Sequence, residues 1–241
     1  MPRRPPITAQ ELMDKLNQDP EWVAGARRRE EEAEQRRKTH AAIERPMVKL
    51  LRKAGFEVDS IWDLVYTGQD YRRAIPMLME WVPQITDPRV KDSLIRVLSV
   101  PWAKPQAAPL FISQFREIED GDPTGVGWTL GNALEVVADD SFCAELVELA
   151  LDRRYGRARE MIVLALGKMK KARPVDALIE LLDDEVVVGH AIVALRKLKA
   201  PEAAEALKPF LDHPDTWIRN EARKALGVPR SPRGGAGRSR G

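Results

Sequence analysis

Apolar residues recur at the spacing of amphipathic helices from about residue 69 onward, with polar residues between them. Leucines close successive helical segments about every thirty residues, at Leu98, Leu134, Leu166, Leu195 and Leu226. A second amphipathic segment follows each of the first four leucines, at 106–115, 141–151, 174–184 and 203–213. Two short helices cannot bury their apolar stripes alone, whereas a stack of helix pairs buries them continuously. The pattern therefore predicts an all-α stack of helix pairs.

Two of the first helices are near copies of each other. GRAREMIVLALG (156–167) and TWIRNEARKALG (216–227) carry Arg159 and Arg219 at the same place, and both end in Ala-Leu-Gly. With the A-x-x-x-L and L-L-x-D that follow in the complete units, this pattern resembles HEAT or HEAT-like repeats of the short kind first associated with phycobilin lyases. The resemblance covers roughly residues 69–227. It implies a right-handed α-solenoid of about five helix pairs, with first helices on the convex wall and second helices on the concave wall.

The unit that begins at Thr216 has no second helix, because VPRSPRGG follows Gly227 and cannot form one. We therefore predict that the solenoid occupies 69–228 and that 229–241 is a flexible Gly/Arg-rich tail. In the other units Lys91, Gly127 and Val188 stand where the Arg is expected, so the resemblance does not predict its contacts there.

Residues 8–68 lack the thirty-residue period and predict an N-terminal helical extension, after a disordered Pro/Arg-rich start at 1–7. Thr8 and Glu11 have the spacing of a capping box. Asp19-Pro20 predicts the start of a second helix, with Asp as the N-cap and Pro as the first helical residue.

That second helix is long and highly charged. In RRREEEAEQRRK (27–38) Ala33 is the only apolar residue, which favours a solvated helix and leaves open a coiled-coil or partner-binding arm. Pro46 is expected to kink or restart the helix.

Composition agrees with a folded helical protein, since 44% of the residues are hydrophobic and 32% are charged. The net charge of +2 does not by itself indicate binding to nucleic acid or membrane. No apolar run is long enough to span a bilayer, and the basic N-terminus lacks the apolar stretch of a secretory signal. A cytoplasmic location is the expectation.

No residue set matches a catalytic or metal-binding pattern. Cys143 has Glu145 and Glu148 as neighbours, which should raise the pKa of its thiol, so we interpret it as an inert core residue. The histidines, His40, His190 and His213, lack metal-ligand spacing. No cofactor and no metal are predicted.

DGDPTG (120–125) has the opening of a calcium loop but lacks its closing Glu, because the last ligand position is Gly131. Asp122-Pro123 is interpreted instead as an N-cap and first helical residue. Gly127 and Gly131, one turn apart, are expected to let neighbouring helices approach closely.

The charges separate by helix type. Second helices are acidic: 140–152 carries four acidic residues and no basic one, and 173–184 carries four against Arg173. First helices are basic towards their ends, as in Lys168, Lys170 and Lys171. Either the concave wall is an acidic binding surface, or the charges complement the helix dipoles, which explains the lysines but not Asp183 and Asp184.

We therefore predict a non-catalytic scaffold that binds another protein, through a basic segment, on the concave second helices. The predicted partner-binding residues are Glu145, Glu148, Asp152, Asp176, Glu180, Asp183 and Trp102. Trp102 could equally pack beneath its turn between Pro101 and Pro105, and Trp217 could either cap the last repeat or offer a contact.

Other functions remain open. First-helix lysines with the tail arginines could contact nucleic acid weakly, through Arg230, Arg233, Arg238 and Arg240. The resemblance also includes enzymes, namely HEAT-like alkylpurine DNA glycosylases and bilin lyases. The glycosylases need a basic concave surface, which the acidic second helices oppose.

Overall fold

The computed structural model describes residues 7–229, and this range contains helices and turns but no strand. The predictions for residues 1–6 and 230–241, including the four tail arginines, lie outside it. The α-helices are α1 (Ala9–Gln18), α2 (Pro20–Lys53), α3 (Asp63–Tyr66), α4 (Ile75–Trp81), α5 (Pro88–Leu98), α6 (Ala108–Arg116), α7 (Val126–Val137), α8 (Cys143–Leu151), α9 (Arg159–Leu166), α10 (Val175–Glu180), α11 (Val188–Leu198), α12 (Ala204–Leu207) and α13 (Thr216–Leu226). Short 3₁₀ turns extend α10 to Asp183 and α12 to Asp212.

The predicted all-α solenoid is confirmed. The first helices of successive units are α5, α7, α9, α11 and α13, and each packs against the next. The second helices are α6, α8, α10 and α12, and each packs against the first helix of the following unit. One apolar core runs from Met47 in α2 to Ala222 in α13. The stack therefore buries the apolar side chains that an isolated helix pair would expose to solvent.

Small residues let the first helices approach closely. A Cβ added to Gly131 of α7 would lie 2.9 Å from the carbonyl oxygen of Ala158, and one on Gly167 would lie 2.7 Å from Cα of Ala194. Gly127 is similarly confined, as expected. A Cβ on Gly189 of α11 would lie 2.0 Å from the ring of Trp217, so this tryptophan covers the preceding repeat.

The predicted start of α7 was wrong. The helix begins at Val126, and its N-cap is Gly125 in the left-handed conformation (φ 73°), because Asp122 itself has a positive φ of 47°. The Asp122 carboxylate still accepts a hydrogen bond from the backbone N–H of Trp128, 3.3 Å away. Asp122 therefore satisfies a donor of the first turn without being its N-cap.

At the N-terminus the predicted caps are confirmed. Thr8 and Glu11 form both hydrogen bonds of a capping box, and Asp19 accepts from the first N–H groups of α2. The predicted restart at Pro46 is wrong, because α2 runs unbroken through it. Met47 and Leu51, just beyond the proline, are fully buried against the solenoid, and this packing holds the helix in place.

No helix among residues 7–229 combines the length and the apolar character that crossing a bilayer requires.

Candidate functional site

Five predicted partner-binding carboxylates lie on two successive second helices. Three follow one another along α10 and its 3₁₀ extension with spacings of four and three residues, which places them on one side, and all three are exposed. The other two lie one turn apart on α8. We call this set the acidic face: Glu145, Glu148, Asp176, Glu180 and Asp183.

Most of these carboxylates have no cationic partner among residues 7–229. Asp176, Glu180, Asp183 and Glu145 make neither an ion pair nor a side-chain hydrogen bond within that range. Glu148 accepts a hydrogen bond from Arg116 Nη2 at 3.0 Å, in an exposed pair at the end of α6. Exposed pairs of this kind are weak and exchange readily.

Asp152, the sixth predicted carboxylate, has a local role. Its side chain accepts from the backbone N–H of Arg154 at 3.1 Å and from Arg154 Nε at 2.8 Å, so it caps the 3₁₀ turn that follows α8. The partner-binding role of Asp152 stays a prediction, and a partner bound there would compete with its hydrogen bonds from Arg154.

Two further acidic residues of the second-helix segments, Asp140 and Asp184, form hydrogen bonds within the fold. Asp140 Oδ1 accepts from the backbone N–H groups of Lys171 and Ala172 at 2.7 and 2.9 Å. Asp184 is buried and accepts from Arg159 Nη1 at 2.8 Å. Sequence reasoning missed the Asp184 role, although Asp87, Asp184 and Asp215 all stand four residues before the position of the repeat Arg.

The Arg159–Asp184 pair links two repeats. Arg159 is 1% exposed, and it also donates to the carbonyl oxygens of Ala150 and Gly156. Burial raises the pKa of Asp184, but the hydrogen bonds from Arg159 and from the backbone N–H of Val186 outweigh it and leave the pKa lowered. In the first unit Lys91 donates instead to Gln114 Oε1 at 2.9 Å, so a neutral partner replaces the carboxylate.

The first-helix cations are largely occupied by neighbouring repeats. Lys168 donates to the carbonyl oxygen of Glu135 at 3.0 Å, and Lys170 donates to that of Lys197 at 2.8 Å. Arg173 donates to the carbonyl oxygen of Leu198 at 3.1 Å. These acceptors lie at or near C-terminal ends of first helices, where cations complement the helix dipole. The dipole interpretation therefore fits these basic residues, and it also fits Glu145 and Asp176, which lie in the first turns of α8 and α10. It does not explain Glu180 and Asp183, which lie at the C-terminal end of α10 and in its extension.

Trp102 is both packed and exposed. Its ring contacts the ring of buried Tyr71 edge-on, with centroids 5.6 Å apart, and the Arg72 guanidinium lies 5.8 Å from its centroid. The side chain is still 41% exposed. Trp102 lies in the turn before α6 and outside the acidic face, so the structure does not join it to the carboxylates.

The described residues contain no cluster of three or more His, Cys, Asp and Glu side chains suited to a metal. Burial, Asp140 and Glu145 raise the pKa of the Cys143 thiol, the direction expected from its acidic neighbours. A cleft of about 220 Å³ between α5 and α7 is lined by the hydrogen-bonded pair Lys91 and Gln114, and no sequence pattern predicted it.

Comparison with known families agrees with this architecture. Residues 143–227, from α8 to the end of α13, match the family model for HEAT repeats. The HEAT-like resemblance read from the sequence is confirmed for this stretch. No curated protein matches the chain.

Proposed function

We propose that this protein is a scaffold whose acidic face binds a basic, extended segment of another protein. HEAT repeats are typically protein-interaction scaffolds, which supports the general class. The observation that carries the specific proposal is the set of exposed carboxylates Asp176, Glu180 and Asp183, which have no cationic partner among residues 7–229.

The charge arrangement favours binding of this kind. Asp176 lies in the first turn of α10 and complements the helix dipole, but Glu180 and Asp183 lie near the helix C-terminus, where acids are unfavourable. Like charges three and four residues apart also repel, so Glu180 and Asp183 cost some stability without a local gain. The basic residues between α9 and α10 have other partners: Lys168, Lys170 and Arg173 donate to carbonyl oxygens of the first helices, and Lys168 and Arg173 also pair with Glu135 and Glu202. The second-helix side therefore presents negative charge that arginine or lysine side chains can meet with charge-assisted hydrogen bonds.

The structural acids limit the site. Asp140 and Asp184 hold turns together, so they are unavailable to a partner. Glu148 would have to exchange Arg116 for a partner cation, an exchange that costs little at an exposed pair. The assignment of this layer to the concave wall stays a prediction.

The test is a binding titration with an Arg/Ser-rich peptide, followed by fluorescence anisotropy at two salt concentrations. The triple variant Asp176→Lys, Glu180→Lys, Asp183→Lys should bind at least about tenfold more weakly than the wild type, because three attractive contacts become repulsive. Binding by the wild type should weaken with salt.

The matched control is Glu57→Lys, Glu80→Lys, Glu119→Lys, which changes net charge equally at exposed positions away from α8 and α10. It should keep most of the wild-type affinity. Equal losses in both triple variants would mean that overall charge drives binding, and the acidic face would lose its role. Preferential binding of duplex DNA or RNA over the peptide would support the nucleic-acid alternative instead.

A further inference from the structure

The N-terminal arm, residues 7–39, exposes an unusual amount of apolar surface. Five large apolar side chains within its first 17 positions are between 38% and 47% exposed: Ile7, Leu12, Met13, Trp22 and Val23. Helix α1 buries no residue, and the first buried residue of α2 is Glu44. Such side chains clustered at one end of a protein mark a contact surface.

The exposed stripe of α2 continues one that is buried further along the same helix. Glu44, Met47 and Leu51 follow one another by three and four residues and pack on the solenoid. The same stepping, extended backward through His40, reaches Trp22, with the small residues Ala33 and Ala26 alternating with the charged residues Arg37 and Arg29. His40 lies 3.8 Å from Asp87, where the arm leaves the solenoid. Beyond that point no described residue buries the stripe.

The charges of α2 and its N-cap alternate in blocks along the axis. Asp19 and Glu21 are acidic, 27–29 is Arg-Arg-Arg, 30–32 is Glu-Glu-Glu with Glu34 beyond it, and 36–38 is Arg-Arg-Lys. From residue 19 to residue 38 the blocks are negative, positive, negative and positive, and in the opposite direction each sign is replaced by its opposite. A second copy lying antiparallel, with its two-fold axis between residues 29 and 30, therefore places every block against one of opposite charge. A parallel copy in register would place like against like.

The ion pairs within the arm do not compete strongly with this arrangement. Arg37 contacts Glu30 and Glu34, and Arg36 contacts Glu32, but every member of these pairs is 46–73% exposed. Such pairs contribute little and can be shared with a second chain.

We propose that the N-terminal arm is a homodimerisation element, in which the α2 helices of two copies pair antiparallel about residues 29 and 30. This placement sets Arg29 opposite Glu30 and Ala26 opposite Ala33 of the second copy, so that small residues face each other. Trp22 then lies beside Arg37, a cation–π arrangement of the kind that Arg29 already makes with Trp22 at 5.2 Å. The pairing covers the stripe and leaves the solenoids at opposite ends.

Sedimentation velocity of the full chain tests the pairing. The wild type should dimerise within concentrations up to about 100 µM, and the variants R27E/R28E/R29E and E30R/E31R/E32R should each dimerise at least about tenfold more weakly. An equimolar mixture of the two variants should form a heterodimer, because each charge block again meets its opposite. A monomeric wild type, or a mixture that stays monomeric while the wild type dimerises, would overturn the proposal.

Cross-linking tests the direction of the pair. In a Cys143→Ala background, Arg29→Cys should form an intermolecular disulfide on mild oxidation, because residue 29 lies next to the two-fold axis. Ala33→Cys, on the same stripe, should not cross-link to itself, because in the antiparallel pair it faces Ala26 and its own copy lies about seven residues further along the axis. A parallel pair would cross-link at both positions and overturn the antiparallel arrangement. Trp22→Ala should weaken the dimer several-fold. Trp128→Ala, an exposed tryptophan of the solenoid, is the control and should leave it unchanged.

Discussion

Helices α9 and α13 carry the same Arg near their start and the same Ala-Leu-Gly at their end, yet they use these residues differently. Arg159 is buried and bridges to Asp184 in the turn before the next repeat. Arg219 stays within its own turn, where it donates to the carbonyl oxygen of Pro214 at 2.7 Å and to Thr216 Oγ1 at 2.9 Å.

The two glycines differ as well. Gly167 has an ordinary helical φ of −64° and is needed because Ala194 of α11 lies against it. Gly227 has a φ of +67°, and a Cβ there would meet nothing within 4 Å. Both glycines end a helix, but only Gly167 also makes room for the next first helix, since no repeat follows α13 among residues 7–229. Three predictions test this difference.

The largest effect is expected at the arginines. Arg159→Met leaves the buried Asp184 carboxylate with only the exposed Arg153 at 3.6 Å and the backbone N–H of Val186. It should lower the free energy of unfolding by about 3 kcal/mol, whereas Arg219→Met should cost about 1 kcal/mol or less. Urea denaturation of both variants measures the difference.

The double variant Arg159→Met, Asp184→Leu should regain part of the loss, because apolar residues can replace a buried ion pair. Equal losses in Arg159→Met and Arg219→Met would show that the bridge between repeats contributes nothing particular.

A smaller difference is expected at the glycines. Gly167→Ala should destabilise by about 1–3 kcal/mol through overpacking against Ala194, and Gly227→Ala by about 1 kcal/mol through its left-handed backbone. Asparagine distinguishes the two causes, since it tolerates the left-handed conformation but is larger than alanine. Gly227→Asn should be milder than Gly227→Ala, and Gly167→Asn should be worse than Gly167→Ala; the reverse order at either site would contradict the assigned cause.

The smallest effect concerns pH at the last contact between repeats. His190 of α11 packs edge-on against Trp217, with ring centroids 5.3 Å apart, and its Nδ1 is buried without a hydrogen-bond partner among residues 7–229. Burial lowers its pKa, and Arg157 adds to this, while Glu160 opposes it. A lowered pKa means that the unfolded chain binds the proton more tightly.

Stability from His190 is therefore complete above its ordinary pKa of about 6.5 and declines as the pH falls below it. The wild type should lose stability relative to His190→Gln as the pH falls below about 6.5. Urea unfolding of both proteins at several pH values, followed by far-UV circular dichroism, measures this. Parallel pH profiles for the two proteins would mean that His190 does not couple protonation to the last repeat.

Much of the fold could be predicted, because a thirty-residue period of leucines has few structural solutions. The first helices fall where Leu98, Leu134, Leu166 and Leu226 indicated, and the caps at Thr8 and Asp19 were readable because capping is local. The start of α7 was misread, because the positive φ of Asp122 depends on the whole loop. The restart expected at Pro46 does not occur, because tertiary packing of α2 overrides a local preference, and the alternative of a kink stays a prediction.

The candidate site was only partly readable. The exposure of Asp176, Glu180 and Asp183 followed from helical spacing, and their function stays a proposal. Asp183 and Asp184 are adjacent and chemically identical, yet one is exposed and the other is buried against Arg159. Only the repeated position of Asp184, four residues before the position of the repeat Arg, distinguishes the two in the sequence. The partner that buries Asp184 lies 25 positions away, so helical spacing alone does not reveal the difference.

The sequence by itself determined the repeat, the helix pairs and the sign of charge on each layer, since periodicity and composition are properties of the chain alone. The tertiary structure decided which charged side chains are paired within the protein and which remain available to a partner. Whether a carboxylate meets an arginine, a backbone N–H or solvent depends on the neighbouring repeat. The same holds at α13, where Arg219 and Gly227 match Arg159 and Gly167 of α9. No repeat follows α13 among residues 7–229, so these two residues take other roles.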